Sequence, residues 1–242
     1  MSDRLQQAIE ELYRVFSSYP GNPRMQGSPN YGELDRWNAE LFSKPLRELD
    51  EDDLCRYAGK AITTWGTAAD YKHFLPRILE LTALYRPPYE IWISFDRLEM
   101  AHWRTSAEEE QQAITEYLLA LFDLLLEDSS PLAVTNFPDY FSTIAYYHAD
   151  MAGLLRLWED KRTEASYVHL TELVLEQHDL LFRKGKLDGF QKTDRGVDQL
   201  TAWLRSDGLL AQLEDAFFQH ESKEFAERLS WAIQLLENQR KA

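Results

Sequence analysis

Apolar residues recur along this chain at intervals of three and four positions, the spacing of one face of an α-helix. In the first segment, residues 3–17, the apolar stripe consists of Leu5, Ile9, Leu12, Val15 and Phe16. The same spacing returns in later segments and in the last one, residues 223–240. No stretch alternates with the period of two that a half-buried strand requires. The pattern predicts an all-α protein of about ten helices in antiparallel pairs with short connections.

No fixed sequence period joins these segments, so a regular repeat array is not indicated. An irregular α-solenoid and a compact multi-helix domain both fit the pattern. We expect residues 1–242 to form a single helical domain, with a possible weak subdivision at the polar loop 183–196. A second loop, residues 19–32, is rich in Pro, Gly and Asn and is long for a compact domain, which predicts either a surface excursion or a functional loop.

A tight corner between two helices is predicted around Gly66. The apolar stripe that ends at Trp65 belongs to a helix capped by Asp50, and Gly66 is the residue type preferred just past a helix end. Thr67, with Asp70 three residues later, forms a capping box that begins the next helix. We expect both helices to pack through their apolar faces on either side of this corner.

The second helix of this corner carries a polar row. Asp70, His73, Arg77 and Glu80 lie together on the helical wheel, and we expect them to point away from the core. Pro76 falls on the same outer side, where it would bend the helix around the core. Asp70 and Arg77 are two turns apart, so we expect them to pair directly or through a neighbouring helix. This row is a candidate binding site.

The densest block of charge is the run from Glu48 to Asp53. Its carboxylates belong to Glu48, Asp50, Glu51, Asp52 and Asp53. Acidic residues in the first turn of a helix complement its dipole, which explains the run without any ligand. The alternative is that these residues form a binding surface for a basic protein. The sequence leaves both interpretations open.

The charge balance narrows the class of partner. The chain has 26 Lys and Arg residues against 41 Asp and Glu residues, a net charge of −15. Nucleic acids and anionic membrane surfaces attract clustered cations, so neither is an expected partner. The balance favours a protein partner, in particular a basic one. No apolar run approaches the roughly 20 residues that span a bilayer, and the first segment lacks the pattern of a signal peptide.

Motifs for catalysis are sparse. Cys55 is the single cysteine, which fits a reducing compartment and predicts a cytoplasmic protein without disulfides. Phosphate-binding glycine loops and nucleophile motifs do not occur, and no cofactor is predicted. Arg97 and His102 match the spacing of the Arg and His pair of HEPN-type ribonucleases. His169, Glu172 and Glu176 share one helical face, a spacing that a metal site can use.

The segment from Trp65 to Arg77 resembles a motif of bacterial all-helical proteins. Its pattern is W-G-x3-D-[FY]-x-x-F-L-P-R, carried by Trp65, Gly66, Asp70, Tyr71, Phe74, Leu75, Pro76 and Arg77. The resemblance implies a helical fold and no assigned activity, so it transfers no catalytic residue.

Three functions remain open from the sequence. The first is a non-enzymatic protein-interaction module of a bacterial cytoplasm, of which an immunity protein that binds a basic toxin is one concrete version. The second is a helical enzyme, either a metal-dependent hydrolase or a HEPN-like ribonuclease. The third is a structural or scaffolding domain without a separable activity.

Overall fold

The computed structural model describes residues 1–187 and 196–241, which contain twelve α-helices, two short 3₁₀ helices and no strand. The predicted all-α fold is confirmed, and the helix count is close to the one expected. Within the same ranges, no helix combines the length and the apolar character that a bilayer crossing requires. The chain forms two compact units, Met1–Leu121 and the part from Phe122 onward. The subdivision expected at 183–196 falls largely on residues 188–195, outside the described residues.

The first unit is built around one buried helix. Its helices are α1 (Asp3–Phe16), α2 (Leu34–Leu41), α3 (Glu51–Lys60), α4 (Ala68–Ala83), α5 (Ile91–Met100) and most of α6 (Glu108–Leu125), with 3₁₀ helices at Leu46–Glu48 and Trp103–Thr105. α4 packs against α1, α3 and α5. Because neighbours cover it on several sides, α4 buries polar residues as well as its apolar face, including Asp70 and Lys72. Pro76 is also buried, so its predicted position on the outer side is wrong.

Both predicted capping boxes are formed. The Asp53 N–H donates to the Asp50 carboxylate at 2.9 Å, and the Asp50 N–H donates to the Asp53 carboxylate at 3.0 Å. Thr67 and Asp70 exchange the equivalent bonds at 3.3 and 2.7 Å. Each box satisfies backbone donors that the first helical turn would otherwise leave without a partner. α3 and α4 therefore begin where the sequence predicts.

The end of α3 differs from the prediction. The helix ends at Lys60 rather than at Gly66. Ile62 has a φ of 64°, a left-handed conformation that a right-handed helix cannot contain. The apolar stripe continues past Lys60 because Trp65 is buried within a turn, and not because the helix extends that far.

The loop 19–32 is attached to this turn. Gly27 and Trp65 form an isolated antiparallel bridge, and the Ser28 N–H donates to the Thr64 carbonyl at 2.8 Å. The buried Asn38 of α2 links the two segments, since its amide donates to the Met25 carbonyl at 2.9 Å and accepts from the Trp65 indole at 2.9 Å. The loop is therefore an integral part of the first unit.

The second unit has an aromatic core. Its helices are α7 (Pro131–Tyr147), α8 (Met151–Asp160), α9 (Glu164–Lys184), α10 (Val197–Leu204), α11 (Asp207–Gln219) and α12 (Ala226–Lys241). The rings of Phe122, Phe137, Phe141 and Trp158 meet with centroids 5.0 to 5.7 Å apart. α12 packs along α9 and α11 and closes the unit.

Candidate functional site

An acidic concavity of about 900 Å³ opens beside α2 and the first turns of α3. It is lined by the carboxylates of Glu40, Asp50, Asp52 and Asp53, the guanidinium groups of Arg36 and Arg56, and Ala39, Ser43 and Cys55. Four carboxylates against two guanidinium groups leave an excess of negative charge. The structure therefore brings three members of the predicted acidic run to one concave surface.

Most charges of the acidic concavity are paired within the protein. Lys44 donates to Asp53 at 2.7 Å, and Arg36 and Arg56 contact Glu40 at 2.8 and 3.3 Å. Burial raises the pKa of Asp53, but hydrogen bonds from Lys44 and from the Asp50 backbone outweigh this effect and hold that pKa below its usual value. Asp53 therefore stays ionised over the physiological range.

Asp52 is the exception among these carboxylates. Its side chain is exposed, and it makes no hydrogen bond or ion pair with the rest of the described chain. Asp52 lies in the first turn of α3 but takes no part in the capping box, which Asp50 and Asp53 form. Asp52 is thus free to meet a cation from outside.

The rest of the predicted acidic run lies elsewhere. Glu51 forms a bidentate pair with Arg86 at 2.5 and 2.8 Å, so it does not contribute to the acidic concavity. Backbone and Arg86 hydrogen bonds lower the pKa of Glu51. Glu48 is exposed in the 3₁₀ helix Leu46–Glu48 and forms no ion pair with the other described residues. The six-residue run therefore divides into three environments.

The polar row of α4 is covered, which corrects the expectation that it points away from the core. Asp70 is 5% exposed and accepts hydrogen bonds from Asn22 at 3.0 Å and from the hydroxyl of Thr67 at 2.8 Å. It does not pair with Arg77. The residues that cover the row come from the loop 19–32 and from α1, so their approach is not visible in the local sequence.

Arg77 and Glu80 form the second part of the row. Arg77 donates to Glu80 at 2.7 Å and to the Leu49 carbonyl at 2.6 Å. The hydroxyl of Tyr13 donates to Glu80 at 2.6 Å. Burial, and then the hydrogen bond to Glu80, raise the pKa of Tyr13 well above its ordinary value. Tyr13 is therefore a neutral donor whose ring is fixed by α4.

A parallel arrangement holds Tyr19, and sequence reasoning missed it. Lys72 and Glu110 form a buried ion pair at 2.6 Å, with side chains 8% and 9% exposed. The hydroxyl of Tyr19 donates to Glu110 at 2.6 Å and accepts from Lys72 at 3.1 Å. Burial followed by the hydrogen bond to Glu110 raises the pKa of Tyr19. No local signal marks these residues, because α4, α6 and the loop each supply one of them.

These two tyrosines line a pocket of about 420 Å³, which we call the tyrosine pocket. Its walls are Tyr13, Phe16, Ser17, Tyr19, Pro20, Pro45, Leu46, Arg47, His73 and Pro76. The volume lies within the range of small-molecule sites, and rings and prolines dominate the walls. Of the predicted polar row, only His73 lines it.

The other candidates from the sequence are not assembled into sites. Arg97 donates to the Gly59 carbonyl at 3.2 Å, whereas His102 is exposed in a left-handed conformation, and no described contact joins the two.

The metal-site candidates of α9 are also separate. His169 is fully buried and donates through Nε2 to the Asp128 carbonyl at 2.9 Å, and Glu172 pairs with Arg228. Among residues 1–187 and 196–241, no three His, Cys, Asp or Glu residues are arranged to hold a metal ion.

Comparison with protein-family models, with curated proteins and with solved structures gives no match.

Proposed function

We propose that this chain is a non-enzymatic protein-interaction module of a bacterial cytoplasm, and that its partner is a basic protein that docks on the acidic concavity. The observation that carries the proposal is the concave surface with its excess of carboxylates and the exposed, unpaired Asp52. An unpaired carboxylate in a concave surface gains an ion pair on binding without losing one that already exists. A cationic side chain of a partner is the group that supplies it.

The paired carboxylates support the same proposal in a different way. Lys44 and Asp53 have side chains 42% and 24% exposed, so their ion pair adds little to folding stability. Its effect is to hold Asp53 in one orientation beside Asp52. A surface whose charges are already ordered loses less conformational entropy when a partner binds.

The charge of the whole chain adds long-range attraction. An excess of 41 acidic over 26 basic residues steers a basic partner toward the protein before contact. Fast association is what an immunity protein needs to neutralise a toxin before the toxin acts. We therefore propose an immunity protein for a basic toxin as the concrete version of this module.

The test begins with affinity capture of the tagged protein from its own cells, followed by titration calorimetry with each purified candidate partner. The decisive variant is Asp52→Lys. The matched control is Asp3→Lys, because Asp3 is also an exposed acid in the first turn of a helix and lies outside the acidic concavity. We expect Asp52→Lys to weaken binding at least tenfold and to flatten its salt dependence, as for a lost interfacial charge pair.

Asp3→Lys should leave the affinity within about threefold of wild type, since it changes only the net charge. Two results would overturn the proposal. One is that no basic protein binds the purified chain at low salt. The other is that the partner binds Asp52→Lys as tightly as it binds Asp3→Lys, which would place the interface elsewhere.

A further inference from the structure

The tyrosine pocket has walls that the protein holds rigid. Tyr13 is fixed by Glu80, which Arg77 pairs, and Tyr19 is fixed by Glu110, which Lys72 pairs. Each ring is thus anchored by a carboxylate that is in turn bound by a cation of α4. Replacing a whole ion pair of this kind by apolar packing is often neutral for stability, whereas its hydrogen bonds fix the orientation of the groups it contacts. Their shared effect in this unit is to fix two aromatic rings on an open pocket.

Ser17 and Arg47 also place polar groups on the walls, and both have partners. The hydroxyl of Ser17 donates to the Arg14 carbonyl at 2.7 Å. Arg47 forms a bidentate pair with Glu10 at 2.7 and 2.6 Å, and its guanidinium stacks 3.7 Å from the centroid of Tyr13. A charged ligand would therefore lose its hydration on entering the pocket, and no unpaired charge on the walls would compensate for that loss. The pocket favours an uncharged ligand.

His73 lines the pocket, and its Nε2 has no hydrogen-bond partner among the described residues. Its Nδ1 lies 2.9 Å from the Tyr19 carbonyl. A carbonyl only accepts, so Nδ1 carries a proton, and in an imidazole with a single ring proton Nε2 is then an acceptor. A Cβ on Gly21 would lie 3.1 Å from Nε2, so glycine leaves more room beside this atom than any other residue would.

We propose that the tyrosine pocket binds an uncharged planar ring that carries a hydrogen-bond donor, as indole and phenol do. The ring packs against Tyr13, Phe16 and Tyr19 and the prolines, and its N–H or O–H donates to Nε2 of His73. Such a ring reaches the pocket as a free small molecule or as a Trp or Tyr side chain of a protein. Both sources share this chemistry.

Nuclear magnetic resonance titration of the full chain with indole tests the proposal, with the ring proton of His73 on Cε1 as the reporter. Benzofuran is the matched probe, because it keeps the shape of indole and lacks the N–H donor. We expect saturable binding of indole at about 1 mM or tighter, and about threefold to tenfold weaker binding of benzofuran, the effect of one neutral hydrogen bond. N-acetyl-tryptophanamide distinguishes the sources: binding comparable to indole indicates a side chain, and exclusion indicates a free small molecule.

Two variants locate the binding. Ser17→Phe fills the pocket, whereas Ser18→Phe places the same ring on the adjacent exposed residue outside the walls. We expect Ser17→Phe to weaken indole binding at least tenfold and Ser18→Phe to change it less than about twofold. In His73→Phe the ring contacts with Phe42 and Phe74 are retained, but the acceptor is lost. Indole and benzofuran should then bind equally.

Absence of indole binding, or indole binding that is insensitive to Ser17→Phe, would overturn the proposal. Equal affinity of wild type for indole and benzofuran would overturn the role of His73. The result is separable from the proposed function, because Asp52→Lys should bind indole as wild type does.

Discussion

Two central helices, α4 of the first unit and α9 of the second, bury polar side chains in opposite ways. α4 buries charged groups, and each has a partner: Lys72 binds Glu110 at 2.6 Å, and Asp70 binds Asn22 at 3.0 Å. α9 buries uncharged groups, and two of their atoms have no partner in the described structure, Nδ1 of His169 and Oγ1 of Thr171. Burial of polar atoms thus has different consequences in the two helices.

In α4, Glu110 and Asn22 come from other segments, so Lys72 and Asp70 specify where α6 and the loop 19–32 must pack. In α9, His169 stacks on Phe137 with centroids 4.2 Å apart, and aromatic packing sets the arrangement. Removing the partner of a charged side chain of α4 should therefore lower the free energy of unfolding strongly. In α9, the free energy of unfolding should depend on the protonation of His169, and loss of an unpaired polar atom should cost little.

Lys72→Met should give the largest loss of stability. It leaves the carboxylate of Glu110 buried with only the hydroxyl of Tyr19 as a partner, and breaking a buried pair costs about 3–5 kcal/mol. Urea denaturation measures the free energy of unfolding. Arg4→Met is the control, because Arg4 and Glu116 form a pair with side chains 39% and 54% exposed, and its loss should cost below about 1 kcal/mol. Similar losses in the two variants would refute the importance of the buried pair.

Tyr13→Phe should destabilise the protein by about 1.5–2 kcal/mol, because it removes a hydrogen bond to the charged Glu80. Tyr71→Phe is the comparison, since Tyr71 donates to the neutral carbonyl of Ser94 at 2.5 Å and should cost about 1 kcal/mol. Thermal and urea unfolding of both variants give the difference. A smaller loss for Tyr13→Phe would show that Glu80 does not anchor the ring.

His169 should make the protein less stable in mild acid. Burial lowers its pKa, despite hydrogen bonding to the backbone of Asp128, so the folded state keeps the ring neutral while the unfolded state takes up a proton near pH 6.5. The contribution of the neutral His169 ring to the free energy of unfolding is therefore fully present above that pH. It falls as the pH drops toward the lowered pKa of the folded state. The slope approaches about 1.4 kcal/mol per pH unit, the value for one proton.

The measurement is urea denaturation of wild type and of His169→Phe between pH 7.5 and 5. As the pH falls, the free energy of unfolding of the wild type should decrease relative to that of His169→Phe. Parallel pH profiles would contradict a neutral buried His169.

Thr171→Val should have the smallest effect and should be neutral or stabilising within about 1 kcal/mol. The buried hydroxyl of Thr171 has no partner among the described residues, so an apolar group of the same shape removes a desolvated polar atom. The matched variant is Thr82→Val in α4, where the hydroxyl donates to the Ile78 carbonyl at 2.8 Å. Thr82→Val should lose about 1 kcal/mol in the same assay. A larger loss of stability for Thr171→Val than for Thr82→Val would contradict the proposed difference between α9 and α4.

The elements set by local sequence were predictable. Apolar spacing predicts the all-α fold, and the pairs Asp50 with Asp53 and Thr67 with Asp70 predict where α3 and α4 begin. The start of α7 has a weaker local signal, because Pro131 and Pro138 are residues that commonly indicate a connection. Ser130 in fact caps a helix that begins at Pro131, a position where proline is favourable, and Pro138 lies inside it.

The features set by distant residues were not predictable. The polar row of α4 is hydrophilic in sequence and therefore looks exposed, but Tyr13 and Asn22 reach it from remote segments and cover it. The acidic run of the sequence predicts three of the residues that line the acidic concavity. The contribution of Glu40 depends on how α2 lies beside α3, which no periodicity encodes.

The attachment of the loop 19–32 has a consequence for how the chain tolerates cutting and insertion. Its composition of Pro, Gly and Asn is that of a segment where proteases cleave and where new sequence is accepted. Its backbone, however, bonds to the turn 61–66, and Met25 is 1% exposed. Cleavage requires a segment to open locally, so limited proteolysis should spare this loop until the first unit unfolds. A reporter peptide is better inserted elsewhere.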